Sequence, residues 1–127
     1  MSVIDREDLP FVGMSHEFVG EKHGVNISFF LVNAPPGGGP ALHRHKYDEV
    51  IVIQEGRATC VTSDKRSEVK AGDIIVIPAG TPHSFVNSGD GPLRQIDIHA
   101  SPKFVTEWLG PSSSPDESAQ LADGTHV

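Results

Sequence analysis

The sequence predicts an all-β domain, a sandwich or barrel of short strands. Three observations carry that prediction. Thirteen glycines and ten prolines punctuate the 127 residues without forming low-complexity tracts, except near 35–40 and 110–115. Between them lie short runs rich in Val, Ile and Phe, none of the apolar ones longer than four residues. Before Pro102 no segment has the periodicity of a helix longer than one or two turns.

The elements follow in order. Residues 1–25 read as an N-terminal arm or edge strand. Asn26–Val32 is the first β-rich run and stops at Pro35-Pro36-Gly37-Gly38-Gly39-Pro40. Val50–Gln54 and Ala58–Thr62, separated by Glu55-Gly56-Arg57, read as a hairpin. Ser63–Ser67 reads as a polar turn. Ile74–Ile77 ends at Pro78-Ala79-Gly80-Thr81-Pro82, His83–Asn87 follows, and Leu93–His99 is the last long strand. Lys103–Leu109, after Pro102, is expected to form a short C-terminal helix that covers one end of the barrel. The domain therefore spans 26–109. Residues 110–127 form a flexible Pro/Ser-rich tail, or alternatively an arm that docks on a neighbouring subunit.

Composition narrows the function. Acids outnumber bases 17 to 10, a net charge of -7. That disfavours nucleic acid and anionic membrane surfaces as partners, since both call for clustered Lys and Arg. The apolar runs are too short to span a bilayer. An acidic N-terminus without an apolar stretch and a single cysteine, Cys60, fit a cytoplasmic chain in a reducing compartment. Cys60, between Thr59 and Val61, reads as a small core residue.

Seven histidines are more than this length requires. His43 and His45 stand at i and i+2 in His43-Arg44-His45-Lys46-Tyr47-Asp48-Glu49. Side chains on a strand alternate with period two, so His43, His45 and, if pairing continues, Glu49 point to one side. Divalent first-row metals bind such nitrogen and oxygen donors. The plainer alternative is a solvated, His-rich sheet edge. His83 follows a Pro-Gly turn, where a lone histidine is more often structural.

The spacing changes that balance. Gly37, His43, His45, Glu49 and Gly56 fit Gly-x5-His-x-His-x3-Glu-x6-Gly. Gly72, Pro78, Gly80, His83 and Asn87 fit Gly-x5-Pro-x-Gly-x2-His-x3-Asn. With both motifs complete, the sequence resembles the cupin superfamily over about residues 37–87. The resemblance implies a small jelly-roll β-barrel with one divalent transition metal per chain (Fe, Mn, Ni, Co or Zn) held by His43, His45, Glu49 and His83. Four protein donors would leave two positions open on a six-coordinate ion, enough for a chelating substrate.

The motif glycines are expected at turns of positive φ, and Asn87 as a turn or cap residue rather than a ligand. Tyr47, Phe85, Gln95 and His99 are candidates for the substrate pocket. Gln95, Asp97 and His99 make one face of the last strand polar, and that face looks either into the barrel or toward solvent or a partner. Trp108 is expected to pack over a barrel end, and His16, His23 and His126 to lie on the surface. The expected function is that of a mononuclear metal-binding oxidoreductase, dioxygenase-like, acting on a small organic molecule that chelates through oxygen. The alternatives are a metal-dependent isomerase, decarboxylase or lyase, and a non-catalytic small-ligand binder. A homodimer is expected, because the runs at 50–53 and 74–77 carry β-branched residues on both faces.

Overall fold

A computed structural model describes residues 1–62 and 64–110. The predicted tail, all but its first residue, and His126 lie outside the described residues.

Among the described residues, eleven strands form two antiparallel sheets: β1 (Phe11–Val12), β2 (Ser15–Phe18), β3 (Ser28–Ala34), β4 (His43–Arg44), β5 (Glu49–Glu55), β6 (Arg57–Thr62), β7 (Lys65–Lys70), β8 (Ile74–Ile77), β9 (His83–Asn87), β10 (Leu93–His99) and β11 (Glu107–Trp108). Short 3-10 helices cover Arg6–Asp8 and Gly20–His23. The six-stranded sheet runs β1-β2-β3-β10-β5-β8 and the five-stranded sheet β11-β4-β9-β6-β7. This is the two-sheet, jelly-roll architecture expected from the sequence.

Burial alternates along the strands that face each other. In β10, Leu93, Gln95, Asp97 and His99 are buried and the residues between them half-buried. Phe30, Val32, Ala34, Ile51, Ile53, Ile77 and Leu93 of one sheet meet Ala58 and Phe85 of the other in the apolar core. Inward residues line up in rows across the six-stranded sheet. Glu17, Phe30, Asp97 and Ile51 form one row. Ser28, His99, Glu49 and Ile77 form the next, two residues along each strand. The apolar end of the interior supplies the stability that lets the other end carry polar groups.

Three expectations are corrected. Val50–Gln54 and Ala58–Thr62 do not pair with each other. β5 bonds β10 and β8, β6 bonds β7 and β9, and the chain passes between sheets at Gly56. Gly56 has φ +87°, and a Cβ there would drive into the Pro92 carbonyl oxygen. Only glycine makes that crossing without strain. Of the stretch expected as a polar turn, Lys65, Arg66 and Ser67 belong to β7, with Lys65 the register partner of Thr62, and Ser63 lies outside the described residues. β7 is an edge strand, and its charged residues suit an exposed edge better than their composition suggests.

The third correction concerns Lys103–Leu109, which is no helix. Glu107 and Trp108 pair with Arg44 and His43 as an edge strand of the five-stranded sheet. A seven-residue helix is costly to nucleate. Here Leu109 donates its N–H to the Leu42 carbonyl at 3.0 Å instead. The Arg44 guanidinium clamps Glu107 at 2.7 and 3.1 Å on the outer face.

Candidate metal centre

The two sheets bring the motif residues to one end of the interior. His43 on β4 and His83 on β9 are register partners in the five-stranded sheet. Glu49 opens β5 in the other sheet, opposite His99 of β10. His43 and Glu49 therefore do not share one continuous strand, as simple alternation suggested. Residues 45–48 carry the chain across, placing His45 between the sheets. Gly80 donates its N–H to the His45 carbonyl at 2.7 Å, and Ala79 to the Asp48 carboxylate at 2.9 Å. These bonds tie the crossing to the Pro78–Gly80 turn, so the two motifs support each other. Gly37, Gly56, Gly72 and Gly80 all have positive φ, as the motif spacing led one to expect.

His43, His45, Glu49 and His83 are all buried, and one donor atom from each lies within 4.8 Å of every other. Glu49 Oε1 lies 3.0 Å from His83 Nε2 and 3.3 Å from His45 Nε2. Neighbouring ligands at right angles on one ion, with bonds of about 2.1 Å, stand roughly 3.0 Å apart. The two Glu49 contacts have that spacing.

The rings are oriented from outside the cluster. His43, His45 and His83 donate Nδ1–H to the carbonyls of Ala41, Val105 and Thr81 at 2.7, 2.8 and 2.8 Å. With Nδ1 so engaged, Nε2 is the atom each ring has left to offer an ion as a lone-pair donor, the arrangement of metal-ligating histidines. Without a cation between them, those lone pairs would face carboxylate oxygen. The buried His45 Nε2 has no hydrogen-bond partner, again what a ligand atom shows.

Electrostatics agree with this division. Burial, with His83 nearby, pushes His43 down to about 3, so its ring is neutral. Burial opposes the Glu49 charge, but the imidazoles of His45, His83 and His99 around it outweigh burial and hold the carboxylate well below its usual range. For His83, contact with Glu49 outweighs burial and raises its affinity for a proton. That excess proton affinity marks a place where positive charge is favoured. The four residues could hold one divalent metal ion.

The remaining candidates occupy different positions. Gln95 and His99 face inward, and Ile96 and Ile98 do not. The polar face of β10 is therefore interior rather than solvent-facing. Gln95 donates Nε2–H to Asp97 Oδ1 at 2.7 Å, while Gln95 Oε1 and Asp97 Oδ2 are buried without partners. Burial, reinforced by the Glu49 charge, pushes the Asp97 carboxyl well above its usual range. The only sequence signal for Asp97 as a site residue is its shared parity with Gln95 and His99. Tyr47 Oη lies 2.7 Å from His99 Nδ1. Phe85 sits in the apolar core.

Trp108 is half-buried, its ring centroid 5.0 Å from that of His43. Asn87 donates to the carbonyls of Ala34 and Gly91 at 3.0 and 2.8 Å and accepts from Gly89 N–H at 2.9 Å. Its role is to hold the turn. Cys60 is buried, and burial raises its thiol to about 11, leaving it unreactive. His23 stacks on Phe18 at the surface, and His16 is half-buried beside Glu7 and Phe11.

Comparison with known proteins agrees with this architecture. Residues 30–99 match the family model described as "Cupin domain". The chain belongs to the cupin family. An uncharacterised protein of Methanocaldococcus jannaschii is 39% identical over 72 residues, covering 56% of this chain and 58% of that protein. An oxalate-binding protein of Thermotoga maritima is 29% identical over 89 residues, covering 68% of this chain and 74% of that one. An oxalate decarboxylase of Bacillus subtilis superposes with a TM-score of 0.73 at 20% identity. That superposition covers 91% of this chain but 34% of the enzyme. This chain thus spans less than two thirds of the length of the first and third of these proteins. No described helix is long and apolar enough to cross a membrane.

Proposed function

We propose that the protein is a mononuclear metal-dependent cupin acting on a small organic acid that chelates through two oxygens. The observation that carries this reading is the set of three Nδ1–H bonds to backbone carbonyls, which aims three Nε2 lone pairs at the space beside Glu49. A divalent ion bound there supplies a Lewis acid and, if redox-active, a route for electrons to oxygen.

The chain's own residues prepare the site. His43, His45, His83 and Glu49 are pre-oriented, so binding costs little reorganisation. Trp108 and the Phe30–Phe104 stack, with centroids 3.9 Å apart, flank the histidines and limit water around them. Gln95 Oε1 and Asp97 Oδ2 are interior polar atoms able to orient the far end of a ligand. Burial favours the neutral form of Asp97, which in that form would donate a hydrogen bond there.

For the reaction, we favour dioxygenase-like oxidation, because three imidazoles and one carboxylate leave positions for both a bidentate substrate and oxygen on a six-coordinate ion. A second reading, oxalate-type binding or decarboxylation, is favoured by the likeness to the oxalate-binding protein of Thermotoga maritima. Iron-, manganese- and zinc-loaded protein would be offered oxalate, diketones and phenolic acids while oxygen uptake and carbon dioxide release are followed. Oxygen uptake supports the first reading. Carbon dioxide release without net uptake, or binding without turnover, supports the second. No binding and no turnover with any loaded form would refute both.

The outer face of the six-stranded sheet exposes Ile74 at 64% and Val76 at 68%. We take it as the face of a homodimer, and a monomer mass by light scattering would contradict that. The single, buried thiol fits a cytoplasmic protein.

A further inference from the structure

His43, His45, Glu49 and His83 are each at most 3% exposed, so a ligand arrives where open space touches one of them. A depression of about 290 Å³ does so at His45. Gly80, Val105 and Thr106 line it as well, and Arg44, Lys46 and Glu107 give it its charges. Beside it, Phe104, Val105 and Thr106 belong to no strand. Val105 donates its N–H to Tyr47 Oη at 3.2 Å and accepts from His45 Nδ1–H at 2.8 Å. A surface segment held by such side-chain bonds opens locally at less cost than a paired strand.

The charges at this depression do not cancel. Arg44 is committed to Glu107, with bonds at 2.7 and 3.1 Å. Asp48 is turned away to the Ala79 N–H at 2.9 Å. Lys46 is exposed and forms no ion pair among the described residues, though its charge reaches Glu107. Arg44 and Lys46 against Glu107 leave one positive charge in the lining, in a chain of net charge -7. A local charge opposite to that of the whole chain draws anions to one spot.

We propose that this depression is the entrance to the metal centre and that Lys46 is its recruiting cation for a small carboxylate ligand. Residues 104–106 give way as the ligand passes His45. The inference rests on the metal reading and adds to it a basis for selection, since an acid arrives faster than a chelator that is neutral when free. A second opening competes for this role. Between the edge strands β7 and β8 lies a crevice of about 310 Å³, with Cys60, Lys65, Ser67, Val69 and Ile75 in its lining. It has a lysine too, but none of the four candidate ligands lines it.

Stopped-flow fluorescence of Trp108, the single tryptophan, follows oxalate binding to the zinc-loaded full chain. Lys46→Gln should slow oxalate association about 10-fold at low salt, a difference that fades as salt is added. Its zinc affinity, its oxalate dissociation rate and its association with acetohydroxamic acid, which also chelates through two oxygens but is neutral when free, should stay within about two-fold of wild type. Lys65→Gln changes the net charge equally and should leave oxalate association near wild type. Equal slowing by both variants would reduce the effect to net charge and overturn the proposal. Slowing by Lys65→Gln alone would overturn it in favour of the crevice. Thr106→Trp fills the depression and should slow both chelators alike; unchanged rates would show that ligands enter elsewhere. Zinc uptake without oxalate binding would overturn the carboxylate ligand and leave the metal reading standing. A wild type that binds no zinc would overturn both.

Discussion

Glu49→Gln perturbs the cluster by replacing its carboxylate with a neutral amide of nearly the same shape. An ion that binds only the folded chain stabilises it by RT ln(1 + [L]/Kd), about 4.1 kcal/mol at 1,000 times Kd. Unfolding 127 residues at roughly 2.1 cal/mol/K each gives an entropy near 0.27 kcal/mol/K. Loading the wild type at that concentration should therefore raise Tm by about 15 °C. Glu49 sits at 1% exposure and its Oε1 touches two of the three histidines, so its charge acts on the ion with little screening by water. A 100-fold weaker Kd in Glu49→Gln leaves about 1.4 kcal/mol at the same ion concentration, or roughly 5 °C. The assay is differential scanning calorimetry with and without ion. Comparing each protein with its own metal-free form removes whatever the substitution costs the empty fold. Equal increments for both proteins would refute the reasoning, since the ion would then lie elsewhere.

Three further outcomes follow. Asp97→Asn should flatten the pH dependence of stability. The raised Asp97 carboxyl favours folding most below the ordinary range of a carboxylate, and that contribution is lost as pH rises through its folded value; chemical denaturation from acid to neutral pH checks it, and an unchanged slope would contradict it. Asn87→Ala strips hydrogen bonds from the Ala34 and Gly91 carbonyls and the Gly89 N–H. It should cost about 2–4 kcal/mol in urea unfolding while leaving the metal stoichiometry unchanged. Gly56→Ala places a side chain at φ +87° against a carbonyl oxygen and should cost at least about 1–3 kcal/mol. A loss of less than about half a kcal/mol would show that the crossing is not strained.

The metal cluster is legible in the sequence because motif spacing is a one-dimensional record of where the turns fall. Gly80 and Pro78 fix the approach of His83, and the three-residue gap before Glu49 is the length needed to pass from one sheet to the other. Partner strands are harder to read. The five residues from Gln54 to Ala58 allow a hairpin locally, and only pairing with β10 and β9 sends β5 and β6 into different sheets. β11 reads as a helix in isolation because its strand character comes from β4, not from its own sequence. His99 shows its parity in the sequence but not its role. Its contact with Tyr47, 52 residues away in the chain, is a product of the closed fold.

The most direct measurement is the metal content of protein purified without chelator and then dialysed against a divalent transition ion, set beside His83→Ala treated identically. The account predicts close to one tightly held ion per chain for the wild type and almost none for the variant. Wild-type protein that retains no ion, or a variant that retains it equally well, would contradict the central claim.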